Sequence, residues 1–203
     1  MRFRDYKIFR IGCYYHIFNR GNNKQAIFLD SMDYMALLKR LKIVLGLYID
    51  TQLRVHPLPK NSFSVISYCL MPNHFHFLIR QNTDVGIEKL IQKVITSYVM
   101  YFNRKYNRVG GLFQDAFKAK LVDNDRYAQY ISAYIHNNPY NLDYDFSSYK
   151  DIVGLRNGQI ADKNILLGWF NNNVEDYKKF VQGFSRKDKQ QIIELLFEDE
   201  DDV

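Results

Sequence analysis

Hydrophobic residues follow two different spacings along the chain, and these spacings separate predicted strands from predicted helices. Runs rich in aromatic and β-branched residues predict strands at residues 13–19, 51–56, 64–70, 74–79 and 117–122. Apolar residues at three- and four-residue steps predict helices that begin at Ser31, span residues 86–106, and run from Asp123 or Asn124 to about Asn137. Apart from the short segment 51–56, the order is β-α-β-β-α-β-α. This order predicts an α+β fold, a ferredoxin-like βαββαβ sandwich with helices on one face of an antiparallel sheet.

The hydrophobic pattern becomes weaker after Tyr149. A loop through Asn157 and Gly158 is followed by two predicted helices, around residues 174–183 and 186–197. The acidic run Glu198–Asp202 is too short and too highly charged to fold alone. We therefore expect a domain over residues 1–154 and a helical extension with an acidic tail over residues 155–203.

The charge of the chain points to a polyanionic partner. Its 203 residues carry 28 Lys and Arg against 22 Asp and Glu, a net charge of +6. Five of the acids lie in the terminal run, so residues 1–197 hold 28 basic against 17 acidic residues, a net charge of +11. A folded body this basic favours nucleic acid over a membrane surface as the partner.

The cysteines and the N-terminal sequence bear on the compartment. Cys13 and Cys69 are isolated in the sequence, which favours a reducing compartment over a disulfide framework. Residues Met1–Tyr6 lack an apolar core, so no signal peptide is predicted, and no hydrophobic run reaches the length of a membrane span. We expect a cytoplasmic protein with no membrane partner.

Two histidines separated by one residue are the first candidate for chemistry. His74 and His76 lie on a predicted strand, where residues two apart face the same side, so both imidazoles could bind one divalent ion. The alternative is a polar spot on a solvated sheet. An oxygen donor as third ligand would suit Mg²⁺ or Mn²⁺, whereas another His or a Cys would suit zinc. Cys69 lies across the predicted turn in an apolar strand, and the remaining histidines are interpreted as structural or incidental.

Tyrosines at helical spacing are the second candidate. Tyr127, Tyr130, Tyr134 and Asn138 form one stripe of the last core helix, which is typical of a packed helix face. A tyrosine hydroxyl beside a metal-polarised phosphate could instead act as a nucleophile and form a phosphotyrosine. Spacing alone does not choose among the tyrosines, and those of the preceding helix are equally placed: Tyr98, Tyr101 and Tyr106.

Basic and aromatic residues alternate between the two helices, a composition that suits single-stranded nucleic acid because charge follows phosphates and rings stack on bases. The alternative is a solvated basic face over an ordinary core. The expected DNA contacts also include two residues in the turn-rich segment after the first strand. The full set is Arg20, Asn22, Arg104, Lys105, Arg108, Lys118 and Lys120.

Two motifs of the chain are specific, Met-Pro-Asn-His-x-His and Tyr-Ile-His-x-Asn-Pro. They belong to a set of six segments: Tyr15–Phe28, Tyr68–Ile79, Tyr101–Tyr106, Gly111–Gln114, Tyr134–Pro139 and Ser147–Tyr149. These segments resemble the IS200-like tyrosine transposases, the Y1 enzymes with an HUH motif, and the REP-associated branch above all. The resemblance covers about residues 12–154.

This resemblance implies a fold, a site and a reaction. It implies the βαββαβ sandwich, Mg²⁺ or Mn²⁺ held by His74 and His76, Asn138 as a third ligand, and Tyr134 as the nucleophile. It also implies cleavage of single-stranded DNA beside imperfect hairpins, which leaves a 5′-phosphotyrosine and a free 3′-OH. The chain departs from the family at Asp115–Phe117, where Ala116 stands in place of a usual arginine.

Other functions stay open from the sequence. A domesticated module could bind DNA or RNA hairpins without cutting them, and a zinc hydrolase could use the histidine pair. The resemblance implies either a monomer or a homodimer.

Overall fold

The computed structural model describes residues 9–185 together with 187, 188, 190 and 192. These residues form four strands and six α-helices, and a short 3₁₀ helix at Asn22–Lys24 follows the first strand. In chain order the elements are β1 (Tyr14–Arg20), α1 (Ser31–Val44), β2 (Phe63–Met71), β3 (His74–Gln81), α2 (Ile87–Lys105), β4 (Lys118–Val122), α3 (Asp125–His136), α4 (Tyr149–Ile152), α5 (Lys163–Gly168) and α6 (Val174–Gln182).

The strands form one antiparallel sheet in the order β2-β3-β1-β4. This order is that of a ferredoxin-like sheet, so the predicted α+β class and the βαββαβ order are confirmed. Alternate residues of β1 and β3, among them Ile17, Phe75 and Phe77, point to one face and form a core with α1 and α2. The central strands therefore bury both faces and separate two distinct layers.

The two helices of the βαββαβ unit, α1 and α2, share one face of the sheet, as predicted, whereas the third predicted helix does not join them. The opposite face of the sheet is covered by α3 and by elements of the extension, which share a second core that includes Leu78, Ile131 and Tyr177. This core contains residues from both sides of the predicted boundary after residue 154, and the boundary itself stays a prediction. Among the described residues, the structure shows no helix with the length and apolarity that crossing a bilayer requires.

Two local predictions also need correction. The N-cap of α1 is Asp30 rather than Ser31, because the Asp30 carboxylate accepts the Asp33 N–H while the Asp33 carboxylate accepts the Asp30 N–H. Residues 51–56 form a turn and irregular backbone instead of a strand. They pair with no strand of the sheet, and Pro57 and Pro59, which follow, lack the N–H groups that pairing would need.

The other predicted boundaries lie close to the observed ones. Asn124 caps α3 by accepting the Tyr127 N–H, and α6 matches the predicted helix around residues 174–183. The helix predicted around residues 186–197 lies mostly outside the described residues, and the acidic run Glu198–Asp202 lies wholly outside them. The short helices α4 and α5 were absent from the sequence prediction, since four and six residues are too few to show a clear periodicity.

Candidate functional site

The register of the sheet places both histidines of the pair on the face that α3 covers. His74 lies opposite Arg20 of β1, and His76 lies opposite Phe18. Residues directly opposite each other share a face, so these four side chains lie on one side of the sheet, as the alternation predicts. The intervening Phe75 is fully buried in the other core.

The C-terminal end of α3 brings a third donor to the histidines. The Oδ1 of Asn138 is 3.0 Å from the Nε2 of His74, and its Nδ2 is 3.4 Å from the Nε2 of His76. The two imidazoles are edge-to-face with ring centroids 5.0 Å apart. Both Nε2 atoms therefore converge on a single amide, although 62 residues separate His76 from Asn138.

Each histidine of the pair is also held at its other ring nitrogen. The Nδ1 of His74 is 2.7 Å from the Oδ1 of Asn73, whose amide nitrogen donates to the carbonyl of Lys24. The Nδ1 of His76 is 3.0 Å from the Nε2 of His16. Partners at Nδ1 fix the orientation and the tautomer of an imidazole and leave Nε2 to bind a ligand.

His16, one of the histidines that the sequence analysis interprets as structural or incidental, lies beside the pair. It is fully buried, and this burial lowers its pKa from 6.5 to about 3, so the imidazole is neutral at ordinary pH. The only signal in the sequence was its position on β1, which becomes informative once the register with β3 is known.

The residues present fit a divalent cation with mixed nitrogen and oxygen ligands. Within the described part of the chain no three His, Cys, Asp or Glu side chains form a group that could hold a metal ion. The third donor that faces the histidine pair is the amide oxygen of Asn138. As the amides are oriented, both nitrogens of His74 face an oxygen, yet a neutral imidazole has only one proton to donate. A cation at Nε2 would relieve that conflict, and an oxygen-containing donor set suits Mn²⁺ or Mg²⁺.

The surroundings of Cys69 do not favour a zinc site at the histidine pair. It lies opposite His76 in the register of β2 and β3, but its sulfur is fully buried and 3.7 Å from the sulfur of Met71. Burial raises the pKa of the Cys69 thiol, and zinc requires a thiolate. Its surroundings are those of a small core residue.

The structure separates the tyrosines that the sequence leaves open. Tyr134 is fully buried, and its ring lies edge-on against His76, with centroids 5.6 Å apart, and against His16 at 6.0 Å. Tyr130, on the same helix, packs against Phe180. The tyrosines of α2 lie across the sheet: Tyr98 donates to the Ile27 carbonyl, and Tyr101 and Tyr106 donate to Asp33.

Three of the seven expected DNA contacts share the face of the histidines. Lys118 lies opposite Phe18, and Lys120 lies opposite His16, so both point to the same side as Arg20. The Lys118 ammonium is 5.5 Å from the centre of the Phe18 ring. Asn22 is exposed in the 3₁₀ helix that follows β1, at the end of the strand where Arg20 lies.

The other three expected contacts lie in the last turn of α2 or just after it, in the layer on the opposite face. Arg104 is exposed, and the Arg108 guanidinium lies 5.6 Å from the Phe102 ring. Lys105 forms ion pairs with Asp30 at 2.7 Å and with the buried Asp33 at 2.8 Å. The structure thus gives Lys105 an internal role, linking the start of α1 to the end of α2.

The Asp33 carboxylate accepts most of the hydrogen bonds in this contact between α1 and the end of α2. Burial alone would raise the pKa of Asp33, but hydrogen bonds from Lys105, from the Leu29 N–H and from the Tyr106 hydroxyl lower the pKa below its usual value.

The segment that departs from the family pattern lies at the end of β1. Gln114 donates its backbone N–H to the carbonyl of Arg20, and the Asn19 amide donates to the carbonyl of Asp115. Ala116 is exposed next to these contacts. The position where an arginine is expected is therefore on the surface, near the residues that share the histidine face.

The sequence model of the family described as "Transposase IS200 like" matches residues 10–138, which is more than half of the chain. A solved REP-associated tyrosine transposase bound to a REP hairpin is similar, with 15% identity, a TM-score of 0.56, and coverage of 80% of this chain and 94% of that chain. A structure described as a transposase of Deinococcus radiodurans R1 has 16% identity, a TM-score of 0.40, and coverage of 68% and 97%. No curated protein matches.

Proposed function

The chain belongs to the family of IS200-like transposases, and from this premise we propose that it cleaves and rejoins single-stranded DNA at hairpin-forming sequences through a 5′-phosphotyrosine. The single observation that carries the proposal is the convergence of four side chains from two elements. His74 and His76 of β3 meet Asn138 at the end of α3, and Tyr134, one helical turn earlier, packs against His76. Two imidazoles, an oxygen ligand and a hydroxyl are the groups that this reaction needs.

The four residues have two different tasks: three of them bind the metal, and Tyr134 attacks the phosphate. His74, His76 and Asn138 would hold Mg²⁺ or Mn²⁺, which when bound supplies positive charge that polarises the scissile phosphate and stabilises its developing negative charge. The oxygen of Tyr134 forms a bond to phosphorus while the bond from phosphorus to the 3′ oxygen breaks. The tyrosine proton passes to solvent, and the leaving 3′ oxygen takes up a proton to become a free 3′-OH. Attack by a 3′-OH on the phosphotyrosine reverses the step and restores Tyr134.

The burial of Tyr134 places a requirement on this mechanism. A side chain with no exposed surface cannot meet a phosphate until its surroundings move, so substrate binding must open the space between the end of α3 and β3. His74 and Asn138 keep 7% and 9% of their surface exposed to solvent. The phosphate would therefore enter from the side of the site on which these two residues lie.

Hairpin DNA is the partner that the proposal assigns. The similar REP-associated transposase is bound to a REP hairpin, which supports a hairpin ligand for this chain. The basic side chains Arg20, Lys118 and Lys120 lie on the histidine face and would contact the phosphates beside the cleavage site. The strongly basic body would supply the remaining, sequence-independent attraction.

A second function, hairpin binding without cleavage, is favoured by one observation. Tyr134 belongs to a hydrophobic core, as a purely structural tyrosine would. A domesticated module could retain this scaffold and grip the hairpin through its basic residues alone.

An adduct assay separates the two functions. The protein is incubated with 5′-extended hairpin DNA and Mn²⁺ or Mg²⁺, and covalent complexes are counted on SDS gels. Cleavage predicts an adduct that is lost in Tyr134→Phe and retained in Tyr130→Phe, the matched control on the same helix. Hairpin binding with no adduct under either metal would establish the binding module and refute the enzyme.

A further inference from the structure

A third histidine lies directly behind the pair, and neither the family match nor the proposed mechanism gives it a task. His16 of β1 and His76 of β3 have nearly parallel rings, with an interplanar angle of 11° and centroids 5.1 Å apart. The Nε2 of His16 is 3.0 Å from the Nδ1 of His76, a normal hydrogen-bond distance. Its Nε2 is thus directed at an imidazole and not at the point where His74, His76 and Asn138 converge.

We propose that His16 is a positioning residue, which accepts a hydrogen bond from the Nδ1–H of His76 and so keeps the Nε2 lone pair of His76 directed at Asn138. This inference rests on the proposed metal-dependent function, because it assigns His16 the task of preparing one of the metal ligands. His16 itself touches neither the metal nor the phosphate.

The proton count of the two rings decides the direction of the bond. A neutral imidazole has one N–H and one lone pair. If His76 holds its proton on Nδ1 and donates it to His16, then its Nε2 is a lone pair that can bind a cation. If His16 were the donor, the proton of His76 would sit on Nε2 and would block it as a ligand.

The other contacts of the site agree with His16 as the acceptor. The Nδ2 of Asn138, a donor, is the atom 3.4 Å from the Nε2 of His76, which suits a lone pair there. On His74 the corresponding partner of Nδ1 is the Oδ1 of Asn73, which can only accept. Both histidines of the pair then have the same tautomer, one set by an amide and the other by an imidazole.

The burial of His16 strengthens this role. The side chain has no exposed surface, so water cannot replace it as the acceptor of the His76 proton.

Two substitutions of His16 distinguish hydrogen bonding from packing. His16→Phe retains a ring but has no acceptor, whereas His16→Gln offers a side-chain oxygen to the Nδ1–H of His76. Phe18→Leu is the packing control, because the Phe18 ring also lies against His76, at 6.0 Å between centroids, on the same strand and face.

The first measurement is the tautomer of His76 in metal-free protein, from imidazole ¹⁵N chemical shifts. The chain has five histidines, so the spectrum can be assigned by single substitutions. We expect the Nδ1–H form for His76 in the wild type and in His16→Gln, and a mixture of both tautomers in His16→Phe.

The second measurement is Mn²⁺ binding without DNA, followed by electron paramagnetic resonance. We expect His16→Phe to weaken Mn²⁺ binding by about 10- to 100-fold, the range for loss of a group that orients a metal ligand. The Mn²⁺ affinities of His16→Gln and Phe18→Leu should stay within about threefold of the wild-type affinity, because both variants leave the orientation of His76 in place.

The outcomes separate this inference from the proposed function. Wild-type Mn²⁺ affinity in His16→Phe, or an Nε2–H tautomer of His76 in the wild type, would overturn the role of His16 and leave the cleavage proposal intact. Equal and negligible Mn²⁺ binding by the wild type and by His74→Ala would overturn both. If His16→Phe does not fold, the wild-type tautomer and the affinity of His16→Gln still decide the matter.

Discussion

Two adjacent asparagines provide a sharp test of the site, because the structure gives them unrelated tasks. Asn138 faces the Nε2 atoms of His74 and His76, whereas the amide of Asn137 donates to the carbonyls of Ala133 and Val181 and thereby joins α3 to α6. Alanine at either position removes a side chain of the same size. The two variants should therefore fail in different ways.

The magnitudes follow from the contacts that each variant loses. Asn137→Ala loses two hydrogen bonds of 2.9–3.0 Å. This should lower the free energy of unfolding by about 2 kcal/mol and the melting temperature by about 4–8 °C. Asn138→Ala loses one long hydrogen bond to His76, and it also removes the unfavourable approach of its Oδ1 to the Nε2 lone pair of His74, so its stability should fall by about 1 kcal/mol or less. It should raise the Mn²⁺ concentration for half-maximal cleavage at least about tenfold, or about 1.4 kcal/mol of binding free energy.

The assay combines a thermal melt without metal with a Mn²⁺ titration of adduct formation on hairpin DNA. Asn137→Ala should have a lowered melting temperature and a wild-type Mn²⁺ requirement. Asn138→Ala should have a nearly wild-type melting temperature and a raised Mn²⁺ requirement. A wild-type Mn²⁺ requirement in Asn138→Ala would refute its assignment as a ligand. Asn138→Asp supplies a check, because a carboxylate oxygen should restore Mn²⁺ binding if the position is a ligand.

Three further outcomes test the catalytic tyrosine, the DNA face and the ion-pair cluster. Tyr134→Phe should abolish the covalent adduct while hairpin binding, measured by gel shift, persists; an adduct in this variant would assign the nucleophile elsewhere. Lys118→Gln should weaken hairpin binding and reduce the slope of log Kd against log salt concentration by about one, whereas Lys93→Gln, on α2 across the sheet, should leave the slope unchanged. Equal effects of these two variants would contradict the proposed DNA face. The pKa of Asp33 is lowered in the folded state, so its stabilising contribution is present above about pH 4 and lost as the pH falls below that value. Urea unfolding at several pH values should show this decline, and Asp33→Asn should flatten it; an unchanged slope would mean that Lys105 and its neighbours do not stabilise the carboxylate.

The sequence predicts those parts of the fold that depend on local spacing. The alternation along β3 places His74 and His76 on one face and Phe75 on the other, because a strand has a period of two residues. The hydrophobic stripe of α3 predicts a helix with one buried side, but a stripe fits either face of a sheet equally well. The layer in which α3 packs depends on the path of the chain after β4, which no local pattern records.

The predicted site was incomplete for the same reason. Spacing could not choose Tyr134 among its neighbours, since the choice depends on which ring meets β3 in space. The sequence does not connect His16 with His76, because the two residues are 60 positions apart. The ion pairs of Lys105, an expected DNA contact, could not be predicted because its two carboxylate partners lie more than 70 residues earlier. Each of these assignments depends on tertiary contacts.

The position of β4 at the border of the sheet has a consequence for how this protein behaves in concentrated solution. A border strand presents unpaired N–H and C=O groups that can recruit a strand from another molecule, and lysines on such a strand oppose this pairing. Lys118 and Lys120 therefore oppose the addition of a strand from another molecule, independently of any contact with DNA. A variant of this protein without Tyr134 would therefore still aggregate more readily if both lysines were removed. Retention of these two lysines in a relative is thus compatible with a protein that neither binds nor cleaves DNA.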